Sequence, residues 1–259
     1  MIDIGLNLTH DSFSHDLDAV IERAQAAGVE QFILTGASYQ GNLAAYQLTQ
    51  KFPELFYSTA GVHPHYSSEY DNSVHASIQE LSQKPEVVAV GECGLDFNRN
   101  FSTPEEQENA FRRQLSIARE VQLPVFLHQR DAHEAFLEII TEQIDSLNGG
   151  VAHCFTGTKE QMKDYLDLGL YIGITGWICD ERRGHDLQEA ITYLPAERLL
   201  IETDAPYLLP RDLKPKPKSR RNEPMYLQHI LNTIARLRND NADELAEITS
   251  ENTKRLFAL

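Results

Sequence analysis

Short apolar runs recur along the chain, each ended by a small or polar residue and followed by a stretch of helical periodicity. The alternation Ile2-Asp3-Ile4-Gly5-Leu6-Asn7-Leu8 predicts a first strand. Further strands are predicted over 32–36, 56–62, 87–91, 124–127, 150–152, 170–174 and 199–201. Between them the spacing of apolar residues predicts helices over about 15–27, 40–51, 73–83, 104–121, 131–146, 158–168 and 185–194. Two more, over about 224–238 and 241–257, close the chain. Gly28 and Gly169 stop helices, and Pro104 with Glu105 and Glu106 starts one, since proline and acids suit a first turn. Eight strands alternating with helices call for a parallel sheet, and eight units in 259 residues fit a closed (β/α)8 TIM barrel. An open doubly wound sheet is the runner-up. It lacks a glycine-rich dinucleotide signature after its first strand. No repeat or linker divides residues 1–259, which are expected to form a single barrel domain.

The polar residues carry the chemistry. Asn7, His63, His65, Glu92, His128, His153, Glu202 and Asp204 all fall at the C-terminal ends of predicted strands. In a barrel those ends converge on one face. One histidine there is ordinarily structural, but four histidines with three carboxylates are difficult to explain as core. Glu92, set between Gly91 and Cys93 at the mouth of a buried strand, must be paired or metal-bound. With His128 and His153 it gives an N/N/O donor set that suits zinc, manganese or iron, and magnesium less well. An ion held there would lower the pKa of a bound water and polarise the bond under attack. Asp204 could take that water's proton or share the ion.

Composition narrows the partners. The net charge is −16, which disfavours a broad nucleic-acid-coating surface but leaves room for a local phosphate site. Three cysteines without metal spacing read as reduced packing residues. No apolar run approaches a membrane span and no signal sequence opens the chain, so a cytoplasmic protein is expected.

Gly61-Val62-His63-Pro64-His65, Gly91-Glu92-Cys93-Gly94-Leu95-Asp96, His128 with Arg130-Asp131, His153-Cys154-Phe155-Thr156-Gly157 and Glu202-Thr203-Asp204-Ala205-Pro206-Tyr207-Leu208 together resemble the TatD family of metal-dependent hydrolases. The resemblance spans essentially the whole chain. The opening Asp3 to Leu8 and the run Gly176 to Gly184 look like the subgroup that gives the family its name. It implies an amidohydrolase-like TIM barrel and divalent-metal-dependent 3′–5′ exonuclease action on single-stranded DNA and RNA, with a role in DNA repair. By position it implies Glu92, His128 and His153 as metal ligands and Asp204 as the acid that contacts metal or activates water. Magnesium or manganese is the expected ion, zinc the alternative. One departure stands out. Most members begin Asp-x-His-x-His, whereas Gly5 and Asn7 occupy the histidine positions here. One tightly held ion is therefore expected, with any second recruited alongside substrate phosphate.

The segment Arg211 to Glu223 follows the last strand and sets six basic residues against two acidic ones, a local charge of +4. It is expected to overhang the catalytic face, with Arg211, Arg220 and Arg221 meeting phosphates together with Arg130. Arg182 and Arg183 are further candidates. His63 and His65 are expected to donate hydrogen bonds to the scissile phosphate, stabilising its developing charge. Among Phe97, Phe101, Tyr207 and Trp177, a ring near the rim could stack a terminal base. Strong acidity favours a single-strand end over a long duplex as substrate. No protein partner is expected, and a monomer is. A small-substrate amidohydrolase or esterase, and a non-catalytic metal-binding scaffold, are the competing readings. Neither gives the basic segment a purpose.

Overall fold

The computed structural model describes residues 1–259. Its strands are β1 (Ile2–Leu6), β2 (Gln31–Leu34), β3 (Phe56–Ala60), β4 (Val87–Asp96), β5 (Val125–Arg130), β6 (Gly150–Ala152), β7 (Tyr171–Ile174) and β8 (Leu199–Ile201). All pair in parallel and in chain order. The helices are α1 (Leu17–Ala26), α2 (Tyr39–Lys51), α3 (Asn72–Leu81), α4 (Pro104–Val121), α5 (His133–Gln143), α6 (Lys159–Asp167), α7 (His185–Ala190), α8 (Leu227–Arg238) and α9 (Ala242–Phe257). This is the (β/α)8 barrel that the alternation predicts.

Several boundaries differ from the sequence expectation. β4 runs to Asp96 because Gly94, Leu95 and Asp96 stay in register with His128, Gln129 and Arg130 of β5. β2 ends at Leu34 because the next amides find other acceptors. Thr35 N–H donates to Leu6 C=O at 3.0 Å, and Gly36 N–H donates to the Thr59 hydroxyl at 2.9 Å. α7 stops at Ala190 and gives way to a turn, well short of Pro195.

Burial follows the two-residue period of the strands. Ile4, Ile33, Ala89, Phe126, Val151, Tyr171 and Leu200 form the barrel interior, capped by Leu256 and Phe257 of α9. Their neighbours Leu34, Val90, Leu127, Ala152, Ile172 and Ile201 face the helices. The same alternation aims the next residue of β5, β6 and β8 back inside. His128 follows Phe126 by two positions, His153 follows Val151, and Glu202 follows Leu200.

The ring closes between β1 and β8 without a full ladder. Asp204 N–H donates to Gly5 C=O at 2.8 Å and Asn7 N–H to Ala205 C=O at 2.7 Å. Between them the Asp3 carboxyl accepts from Thr203 N–H at 3.0 Å and bonds the Thr203 hydroxyl at 2.6 Å. Asp3 is fully buried, and burial pushes its pKa up to about 8 despite the Thr203 bonds. The folded state thus keeps a proton that the unfolded chain releases near the ordinary carboxylate value. Stability from this group is full at low pH and is lost as pH rises toward about 8. We expect Asp3→Asn, which mimics the protonated acid, to flatten the fall in stability between pH 5 and 8 in chemical denaturation at matched pH. A wild-type slope retained by the variant would show that Asp3 is already ionised in the fold.

Candidate active site

The site is built around one carboxylate oxygen. Glu92 Oε1 lies 2.8 Å from His153 Nε2, 2.9 Å from His128 Nδ1 and 3.5 Å from His63 Nε2. Glu92 is buried, and burial alone would raise its pKa. The neighbouring His63 and His153 rings and the hydrogen bonds from His128 and His153 outweigh it and hold the carboxylate well below the usual range. Two glycines make room for this placement. A Cβ at Gly91 would sit 2.2 Å from the Phe126 carbonyl oxygen, and one at Gly94 would sit 1.9 Å from that of His128. Both have φ near +140°, at +141° and +143°, where only glycine is comfortable.

His153 and His65 are each steadied by a further acid. His153 Nδ1 lies 3.2 Å from Glu202 Oε2, while Glu202 Oε1 accepts from Cys154 N–H at 2.5 Å. Both ring nitrogens of His153 therefore face carboxylates. Burial opposes a charge on the ring, but Glu202 and Glu92 outweigh it and raise the His153 pKa well above the ordinary value. His65 Nε2 lies 2.8 Å from Asp96 Oδ2, whose partner oxygen accepts from Asn98 and Arg99 N–H at 2.9 and 3.2 Å. Burial of Asp96 is overcome by His128, His65 and the Arg99 amide, which hold its carboxylate below the usual range. His63 goes the other way, as burial takes its pKa down to about 3. Asp204 receives the Asn7 side-chain amide at 3.2 Å, and burial raises its pKa to about 7.

The donors fit a divalent ion. One ligand atom each from His63, Glu92 and His128 lie within 4.8 Å of one another, and His153 reaches the same carboxylate oxygen. His128 Nε2 is buried with no partner within hydrogen-bond distance, and Asp96 Oδ2 stands 3.6 Å from it. His63, expected only as a phosphate donor, thus stands among the ligand candidates. From the sequence Glu202 is assigned no catalytic role, being either a support for a ligand or an inward strand residue, and Asp96 is assigned none. Their signal lay in the two-residue period, which puts Glu202 above Leu200 and Asp96 four residues beyond Glu92 on one strand.

The cluster opens into a cleft of about 1380 Å³. Arg130 lines it, as does Arg99, which the sequence reading did not single out. Arg211, Arg220 and Arg221 do not. Arg221 is consumed by Asp16 at 2.7 Å and Glu223 at 2.7 Å, and its guanidinium lies over the Phe13 ring. Arg211 faces Glu181 at 3.5 Å and Asp180 at 3.6 Å, and Arg220 is exposed away from the cleft. Two of the segment's six cations, Arg211 and Arg221, are thus held by acids of the fold, while Lys214, Lys216, Lys218 and Arg220 are exposed and do not line the cleft, which corrects the expectation that its arginines crowd the mouth. Arg182 and Arg183 likewise pair with Asp180. Phe97, Phe101, Tyr207 and Trp177 all border the cleft, with Phe101 64% and Tyr207 52% exposed.

Eight parallel strands that deliver histidine and carboxylate side chains to one end define a metal-dependent hydrolase barrel. The chain belongs to the TatD family, since the family model for TatD related DNase matches residues 2–258. It is 56% identical over 257 residues to the 3′-5′ ssDNA/RNA exonuclease TatD of Salmonella typhimurium, covering 99% of this chain and 98% of that protein. The protein of the same name from Erwinia tasmaniensis is 52% identical, with both chains fully covered. Among solved structures, the TatD homologue YJJV of Escherichia coli superposes with a TM-score of 0.90 at 29% identity, covering 100% and 98% of the two chains. An organophosphorus hydrolase mutant from Deinococcus radiodurans shares the fold at a TM-score of 0.65 and 14% identity, covering 99% and 92%. No helix is long and apolar enough to cross a membrane.

Glu202 gives the sharpest test of how the ligands are held. Glu202→Gln keeps the shape but removes the charge facing His153. Divalent-ion affinity, read by titration calorimetry, is expected to fall about 10- to 100-fold. An unchanged affinity would mean that His153 is not a ligand.

Proposed function

We propose that this chain is a divalent-metal-dependent 3′–5′ exonuclease that hydrolyses phosphodiester bonds at the ends of single-stranded DNA and RNA. The carrying observation is the convergence of three imidazoles on Glu92 Oε1, beside Asp204, at the floor of a cleft bordered by Arg99 and Arg130. The relatives named above support the choice of substrate and polarity. Residues 1–259 act as one hydrolase unit.

Glu92, His128 and His153 would hold the ion, with His63 close enough to join them. Magnesium or manganese suits a phosphodiester substrate, and the nitrogen-rich donors also admit zinc. When bound, the ion supplies Lewis-acid polarisation and lowers the pKa of a water at neutral pH. The remaining work falls to side chains. Asp204, with a pKa near 7, takes the proton of the attacking water. Asn7 fixes which carboxylate oxygen faces inward. His65, held by Asp96, donates to the phosphoryl oxygens. Arg99 and Arg130 meet the backbone phosphates of the incoming strand. Phe101 and Tyr207 offer exposed faces on which a base stacks, a contact that tolerates either base or sugar type. The enzyme works as a monomer in the cytoplasm, where three free thiols stay reduced.

Single strands labelled at either end, incubated with magnesium, manganese, zinc or chelator, test the reading directly. Label should leave the 3′ end first, and chelator should stop release. Asp204→Asn is expected to lower turnover about 10²- to 10⁴-fold and to remove the acid limb of the pH profile. Release from the 5′ end, or wild-type turnover by Asp204→Asn, would overturn it.

A further inference from the structure

A second set of metal-ligating side chains is assembled outside the active cleft. Cys179 ends the short turn after β7, Asp212 stands in the irregular segment after β8, and His229 lies in the first turn of α8. One ligand atom from each lies within 4.8 Å of the other two. His229 Nε2 is 2.7 Å from Asp212 Oδ1, and Cys179 Sγ donates to the Thr233 hydroxyl at 3.5 Å. None of the three lines the cleft, and the mechanism above uses none of them.

The geometry points to a separate transition-metal site at Cys179, Asp212 and His229, of the kind that takes zinc. The donors are one sulfur, one nitrogen and one oxygen. Soft thiolate and imidazole select zinc over magnesium, which prefers an all-oxygen shell. Three protein ligands leave a fourth, tetrahedral position for water. Access matches this chemistry, because Asp212 and His229 are each about a third exposed, at 38% and 32%, while Cys179 is buried behind them. A cation enters through the two hard donors and meets the sulfur at the bottom. Thiolate and carboxylate together carry two negative charges, so a divalent ion is neutralised. Binding releases the Cys179 thiol proton to solvent. The His229 proton that faces Asp212 moves to the other ring nitrogen, leaving Nε2 free to ligate.

The consequence is a clip. The three ligands come from three separate segments of the chain, and Asp212 sits in a stretch without regular structure. Its neighbour Arg211 reaches Asp180 and Glu181, beside Cys179. A loaded site would fix the start of the proline-rich segment against the β7 turn and α8.

Cobalt(II) loading of the metal-stripped full-length chain tests this, since a cobalt–thiolate bond gives charge-transfer absorption in the near ultraviolet that an N/O site lacks. The wild type should show the band, and zinc should displace it. Cys179→Ser should lose both the band and one bound ion per chain by elemental analysis. Cys154→Ser, whose thiol is beside the barrel mouth, should keep both. His229→Ala, at a partly exposed position, should weaken cobalt binding at this site at least about tenfold with an unchanged circular dichroism spectrum. Absence of the band, or a band that survives Cys179→Ser, overturns the assignment. The mouth residues Glu92, His128 and His153 offer no sulfur, so failure here leaves the nuclease reading untouched, and failure of nuclease activity leaves this site standing.

Discussion

Everything at the barrel mouth depends on keeping the Glu92 carboxylate charged in a buried place. An unpaired ion there would cost several kcal/mol, and removal of one partner from a buried pair typically costs about 3–5 kcal/mol. The protein meets this by surrounding one oxygen with His63, His128 and His153. That solution sets other requirements in turn. The rings must be oriented, so Glu202 backs His153 and Asp96 backs His65. The strand must bring Glu92 inward while passing close to β5, so positions 91 and 94 must be glycine. A site that can be satisfied by protons in this way is also one that a divalent cation can occupy, because the same nitrogens exchange an N–H for a lone pair.

Much of this arrangement was legible in the sequence, and the reason is geometric. A parallel barrel turns the two-residue period into a radial code. Phe126 and His128, Val151 and His153, and Leu200 and Glu202 share the inward direction, so an apolar floor and a polar mouth can be read off the same strands. The strand ends were less legible. β2 and β3 stop early where side chains such as Thr59 replace ladder bonds, and β4 continues because the partner strand does too. These outcomes depend on which segments meet, which local periodicity does not encode. Closure through Asp3 and Thr203, 200 residues apart, is of the same kind.

Charge shows the limit of local reading most clearly. The segment 211–223 is the basic stretch of an acidic chain, yet two of its three arginines are held within the fold. Arg221 is held by Asp16 from the opening of the chain and by Glu223, and Arg211 by the acids after β7. Arg99 sits among mixed residues and attracts no notice in the sequence, but it lines the cleft beside Arg130. Local net charge reports what a segment carries and not where it is spent. The partner acids lie up to 205 positions away, so only the fold decides which cations remain free.

The missing first-strand histidines can now be given a physical setting. Gly5 is not vacant space, because a Cβ there would lie 2.2 Å from Glu202 Oε2. Glu202 in turn is fully buried and holds both the His153 ring and the Cys154 amide, so it cannot swing aside without releasing both. A histidine at position 5 would therefore compete with the support of the existing cluster instead of adding to it. At the second position Asn7 donates to Asp204 and so orients the acid, a role that does not require a metal. In this chain the first strand supports the chemistry from behind: Gly5 by giving Glu202 its room and Asn7 by holding Asp204. The candidate ligands lie on the strands that follow. The placement of Glu92, His128 and His153 is thus tied, through Glu202 and Gly5, to the packing of β8 against β1.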